Sequence, residues 1–437
     1  MPATPTPPVA PRRPVALEAH GDVRVDDYYW LRDRDDPGVT GYLEAENAYT
    51  EAMTAHTAER RDQLFEEMRS RIQETDLSVP WRRDAWWYYS RTVEGLQYPI
   101  HCRKPGSLDA PEQVLLDENA EAGGHDFFDL GALEVSPAHR LAAWSCDVAG
   151  DEAFVLRVRD LGTGADLGDE IANTYYGVAW ANDDATVFYT TLDAAKRPWQ
   201  VWRHRVGTPG AADVLVHQED DERFHVGLGR TRTGRFVVVQ IHSAVTTECH
   251  LIDADDPAGA PRLVAPRRQG VEYEIEHHGE QLFVVTNDEA ENFRLMAAPL
   301  ATPGRAHWRE VVAHRPGVRL EEVDAFARHL VLYERAGGVR RIRVMDLASG
   351  EVHEIDQPEA VSTALPGDNA EFTTTTLRYR YTSLVTPQSV FDYDMDARTR
   401  ELMKRQPVLG GYDPADYATE RLWATAADGA AVPISLV

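Results

Sequence analysis

Cysteine is scarce in this 437-residue sequence: Cys102, Cys146 and Cys249 are few, odd in number, far apart and never in a CxxC pair. That pattern argues against a disulfide framework or a cysteine zinc site and points to a reducing compartment, the cytoplasm. No run approaches the roughly 18 apolar residues of a membrane-spanning helix. The start, MPATPTPPVAPRRPV, lacks the apolar centre of a signal peptide. Positive charge is in deficit, with 45 Lys and Arg against 72 Asp and Glu and a formal net charge of −27. Such a balance disfavours nucleic acid and anionic membrane as partners and permits cationic ones. Catalytic signatures are missing as well. No serine has glycine two positions before it, so no G-x-S-x-G elbow exists, and there is no HExxH, Walker A motif or strand-leading GxGxxG. Gly227-Leu228-Gly229 is a lone GxG. His277-His278 and the pair His242/His250 read as solvated or hydrogen-bonded rather than as metal ligands, and Glu219-Asp220-Asp221-Glu222 reads as a solvated loop. No catalytic, metal-binding or cofactor-binding residue is therefore expected within these 437 residues, and no cofactor.

What the sequence does contain is a repeat. Phe154 to Glu170, FVLRVRDLGTGADLGDE, reads as a strand, a turn at Leu161-Gly162-Thr163-Gly164, and a return strand. Similar hairpins begin at Ile100, Val201, His250, Arg294, Ile342 and Phe391, and after the first interval they recur about every 44 to 49 residues. Each is preceded by another strand pair, as in VAWANDDATVFYTT at 178–191. Four short strands per unit at this period predict a seven-bladed β-propeller, in which radial packing buries faces that a single blade leaves bare. Val178–Trp180, Val226–Leu228, Tyr273–Ile275 and Thr373–Thr376 are the expected inner-strand positions. Trp86, Trp87, Tyr88 and Tyr89 in DAWWYYSRT are expected as wedges between blades. Each blade's strands come from consecutive sequence, so no strand from the far terminus locks the ring.

The flanks differ from the repeat. Residues 1–14 are expected to form a disordered, proline-rich tail. From Pro37 the spacing of Val39, Tyr42, Leu43, Tyr49 and Met53 is helical, with Asp36 as cap and Pro37 in the first turn. Leu64, Phe65, Met68 and Ile72 continue on a second helix. These helices are too polar to form a domain alone and need another surface for their apolar stripe. After Arg405 the repeat stops. PVLGGYDPADYA (407–418) reads as a linker, and a new strand, turn and apolar strand run to Val437, so the sequence reads as cut short inside a following domain.

VDDYYWLRD (25–33) and YLEAENAYT (42–50) closely resemble the N-terminal signature of prolyl oligopeptidase-type serine peptidases. EEMRSRIQETDLSVP (66–80), YYSRTVEGLQYPIHCRK (88–104), NDEAENFRLMAAPL (287–300), LRYRYTSLVTPQSVFDYDM (377–395) and RLWATAADGAAVPISLV (421–437) look most like its oligopeptidase B branch. The resemblance implies a mainly β chain in three parts. Residues 1–75 would be a tail and helical arm packing on a hydrolase domain, 76–406 a seven-bladed propeller, and 407–437 a linker with the first strands of a truncated α/β-hydrolase domain. It further implies a serine oligopeptidase that cleaves short peptides after Arg or Lys, with the propeller restricting substrate size. The Ser, Asp and His of that family lie in the hydrolase domain, so no triad position can be carried onto this sequence, and the chain alone is expected to be inactive. Its partners would be short basic peptides and its own hydrolase domain.

Two competing readings remain: a stand-alone propeller acting as a binding or scaffold module, and a peptidase of the same family with prolyl specificity. Within the repeat, Glu272, Glu274 and Glu276 alternate along VEYEIEHH and so share one face of a strand. They are candidates for steering cationic substrates.

Overall fold

The computed structural model describes residues 5–437. The chain divides into two compact units, one of Met1–Gln73 with Val408–Gly411, the other of Glu74–Pro407 with Tyr412–Val437.

The first unit opens with a hairpin, Val15–Ala19 paired to Asp22–Asp26. Its two-residue turn has positive φ at both His20 and Gly21, the twist that suits a tight hairpin. Residues 11–13 are tied down rather than disordered. Trp30 donates its indole N–H to the Pro11 carbonyl at 3.0 Å. Arg13 lies over the Trp30 ring and pairs with Asp36 at 2.7 Å. The part of the expected tail formed by residues 1–4 lies outside the described residues. Helix α1 (Pro37–Thr54) starts as expected, with the Asp36 carboxylate accepting from the Gly38 N–H at 2.7 Å. Helix α2 (Ala58–Ser70) follows after a 3₁₀ turn. Leu43, Leu64, Phe65 and Met68 stand exposed along these helices and Ile72 two residues past the end of α2, Met68 and Ile72 by 60% and 61%.

The second unit is a β-propeller built of antiparallel sheets, each from strands consecutive in sequence. All seven repeating hairpins are present, yet the separate four-stranded blades number five, not seven. The first sheet spans Trp81–Asp117, the third His225–Ala265, the fourth Tyr273–Val312, the fifth Val318–Glu354 and the sixth Ser362–Arg405. Between the first and third, two repeats are merged into one seven-stranded sheet over Asp129–Gln218. The cause is the 16-residue strand Ala165–Trp180, which pairs with Phe154–Asp160 along its first part and with Thr186–Leu192 along its last. It bends rather than breaks. Asn173 takes a left-handed φ of 60°, the register shifts on either side of Thr174, and the buried Thr174 hydroxyl donates to the Phe154 carbonyl at 3.0 Å.

Three of the four expected inner-strand segments lie in inner strands. Thr373–Thr376 does not. The inner strand of the sixth sheet is Ser362–Pro366; residues 373–375 belong to the loop after it, and Thr376 begins the second strand. A run of β-branched threonines favours strand, but Gly367 and the bonds the loop makes to other sheets prevent it from pairing.

Apolar clusters straddle successive sheets. Phe188 and Val201 pack with Val226 and Val239, and Phe283 and Leu295 with Leu320 and Leu332. Trp86 and Tyr88 pack with Ala142 and Leu161 between the first and second sheets, and the Tyr88 ring stacks on Trp81 at 4.8 Å. The seam between the sixth and first sheets is different. The buried cluster there, Tyr89, Ile100 and Cys102, belongs to the first sheet alone. Across the seam the Lys404 ammonium reaches both Asp76 oxygens at 2.7 Å, and Arg378 donates to the Pro80 carbonyl at 2.7 Å.

Candidate functional site: the axial channel

The first strands of successive sheets stand side by side around a central cavity of about 720 Å³, lined among others by Trp81, Arg83, Glu134, Val178, Trp180 and Arg230. Alternation along a strand decides what faces it. In Tyr273–His278, the side chains of Tyr273 and His277 are buried, while Glu274 and Glu276 take the opposite face, though neither reaches the lining of this cavity. Glu272 lies one residue before this strand and is held at the strand end, where Asn287 donates to its Oε1 at 3.3 Å and its own N–H donates to Asn287 at 2.8 Å.

The carboxylates crowd one another. Burial pushes the Glu276 carboxyl up to about 8, against a partial counter-effect from the Arg232 guanidinium and with Asp324, Glu322 and Glu274 adding to the rise. Its Oε2 is shielded and has no hydrogen-bond partner, as suits a protonated acid. Burial also raises Glu322, helped by Asp324 and Glu274, and raises Glu274, helped by Glu272. Glu134, on the cavity wall, is raised by burial against the pull of Arg83 and Arg230. Glu134 and Glu274 still touch solvent, so burial removes their carboxyls only partly from water. One strong ion pair sits among these acids: Arg232 binds Asp324, which also accepts from the Tyr333 hydroxyl at 2.9 Å.

The structure thus brings Glu274 and Glu276 together with Glu322, Asp324 and Arg232, residues that sequence reasoning missed. The same period-two rule applied to EEVDA (321–325) would have found Glu322 and Asp324. Arg232 carries no such signal, because it sits in a turn and meets Asp324 only through the ring.

The remaining candidates have ordinary partners. His277 is bonded to Thr233 at 2.7 Å and to the Gly279 carbonyl at 2.8 Å, and His278 to the Ala327 carbonyl at 3.2 Å. His250 pairs with Glu248 at 3.0 Å, whereas His242 stacks on His225, so these two do not converge. Burial pushes the Cys102 thiol up to about 12 and raises Cys146 and Cys249, leaving none as a thiolate nucleophile. Among the described residues no three His, Cys, Asp or Glu side chains are arranged to hold a metal ion, and no helix is long and apolar enough to cross a membrane.

Residues 7–406 match the family model described as prolyl oligopeptidase, N-terminal beta-propeller domain. The chain belongs to that family. It is 38% identical to dipeptidyl aminopeptidase BI of Pseudoxanthomonas mexicana over all of this chain and 63% of that protein. It is 34% identical to protease 2 of Moraxella lacunata over 98% of this chain and 63% of that one. Among solved structures, oligopeptidase B from Leishmania major superposes with a TM-score of 0.90 at 30% identity, covering 98% of this chain and 64% of that one. The chain therefore spans slightly less than two thirds of the length of the relatives it matches.

Proposed function

We infer that this chain is the propeller part of a serine oligopeptidase that cleaves short peptides after Arg or Lys. The observation that carries this reading is the cluster of Glu274, Glu276, Glu322 and Asp324, which the fourth and fifth sheets bring together around the guanidinium of Arg232, a residue that also lines the axial cavity. A narrow cavity limits what can enter, and ionised carboxylates of the cluster raise the local concentration of cationic peptides. Glu274 acts here as a steering group and Glu272 acts at the strand end, while Glu276, whose carboxyl is raised to about 8, joins them only as it ionises at alkaline pH. The chemistry itself falls to a hydrolase domain. There a serine attacks the peptide carbonyl, a histidine carries the proton, an aspartate orients the histidine, and backbone donors hold the oxyanion. Residues 1–75 and 407–437 serve as that domain's arm, linker and first strands. The exposed side chains of Phe65, Met68 and Ile72, and of Trp423, Ile434 and Leu436, supply apolar surface for such a partner. The three buried, unpaired cysteines suit a cytoplasmic setting.

The test joins residues 1–437 to the segment that follows the matched region in the relatives. The joined protein should cleave a fluorogenic peptide after Arg, and residues 1–437 alone should not. Changing Glu272, Glu274 and Glu276 together to Gln should lower kcat/KM for a basic peptide at low salt and flatten its salt dependence, leaving kcat unchanged. Equal salt slopes in both proteins would remove these residues from the substrate's path. A second reading, release of dipeptides from a free N-terminus, is favoured by the name of the 38% identical relative. Blocking the substrate's N-terminus separates the two: cleavage persists only in the first.

A further inference from the structure

Where the first strand of a sheet turns into the second, the connection is short. Two residues join Arg83 to Trp86 and His278 to Gln281, and three join Ala325 to His329. The sixth sheet departs from this, with nine residues, 367–375, between Pro366 and Thr376. They do not hang free in solvent. The Asn369 carbonyl accepts from Arg232 in the turn of the third sheet. The Phe372 carbonyl accepts from the Ala327 N–H at 2.8 Å in the turn of the fifth, and the Phe372 ring lies 5.4 Å from the His278 ring of the fourth. Glu371 accepts from the Asp84 N–H at 3.2 Å and faces Arg82 at 3.8 Å in the first.

These four turns surround one end of the channel. Two sheets separate the third from the sixth around the ring, so a loop that reaches Arg232 from the sixth sheet must cross the axis. Ala370, Glu371, Phe372 and Thr373 accordingly form part of the wall of the 720 Å³ cavity. The loop is also braced internally. The Asn369 side chain donates to the Gly367 and Arg378 carbonyls at 3.1 and 2.8 Å and accepts from the Arg378 N–H at 2.7 Å. A Cβ on Gly367 would sit 2.8 Å from the Arg378 side chain and 2.9 Å from its carbonyl oxygen, so the close approach that folds the loop inward requires glycine.

We propose that residues 367–375 are a plug that closes this end of the axial channel, so that peptides do not thread through the propeller and reach its interior only from the opposite end. The clamp is Arg232, held to the loop on one side and to Asp324 and the Phe326 ring on the other. The plug is a determinant of substrate size if the peptidase reading holds, and as a physical barrier it stands without that reading.

Gly229 offers a reporter, since it lines the cavity near this end and a Cβ there meets nothing within 4 Å. In the 437-residue chain carrying Gly229→Cys, the three native cysteines are buried and react slowly. A small maleimide should label the new thiol readily, and one bearing a long polyethylene glycol at least tenfold more slowly. Replacing residues 368–374 by two glycines should raise the bulky reagent's rate at least tenfold. The same replacement should leave unchanged the rate at His225→Cys, at the other end of the same strand. Asn369→Ala, which keeps the loop length and removes its internal bonds, should give a smaller rise and serves alone if the shortened chain does not fold. A bulky-reagent rate at Gly229→Cys that neither change alters in folded protein overturns the plug.

Discussion

Glu276→Gln should stabilise the protein above neutral pH and leave it nearly unaffected near pH 5. Burial lifts the Glu276 carboxyl from its ordinary 4.5 to about 8. Between those values the unfolded chain gives up the proton that the folded chain keeps. Ionisation then favours the unfolded state, and folding stability falls as pH rises from about 4.5 to about 8, with no further loss above that range. The full shift corresponds to an upper limit of about 5 kcal/mol. Glu276 is only part-buried, and screening by solvent reduces this to roughly 1–3 kcal/mol. Glutamine removes the titration and keeps the shape. Urea midpoints of the two proteins, measured from pH 5 to 9, should coincide at the acid end and separate progressively, with the variant the more stable at pH 9. A difference that is constant across pH, or a variant less stable at pH 9, would refute the placement of this carboxyl in low-polarity surroundings.

Three further outcomes are expected. Gly131→Ala should cost about 1–3 kcal/mol in urea unfolding, because its Cβ would come within 2.5 Å of the fully buried Phe154 ring. His204→Gln should cost about 3–5 kcal/mol in the same assay, since His204 bridges Asp213 at 2.7 Å and Asp169 at 2.9 Å with all three side chains at most 2% exposed. Lys404→Ala should cost about 1–2 kcal/mol, and a double-mutant cycle with Asp76→Ala should give a coupling of about 1 kcal/mol that shrinks in molar salt. No coupling would mean that the pair does not hold the seam between the sixth and first sheets.

The repeat was legible because a strand pair with a glycine turn is a local event. The hairpins starting near Ile100, Phe154 and Phe391 need only alternation and turn chemistry, and all formed where expected. The same holds for α1, whose cap and first-turn proline adjoin in sequence. Alternation also placed Glu274 and Glu276 on one face, since a strand puts every second side chain on the same side.

Tertiary structure decided what depends on residues far apart. Whether Ala165–Trp180 is two strands or one turned on the bend at Asn173 and Thr174, not on composition, and it changed the number of separate blades. Thr373–Thr376 has strand propensity, but its segment is drawn across the axis by Arg232 and Ala327, residues at least 46 positions away. The chemistry of Glu276 has the same origin. A glutamate is an ordinary acid in sequence, and only a ring that closes around it, bringing Glu322, Asp324 and Arg232 to its side, removes it from enough water to hold its proton.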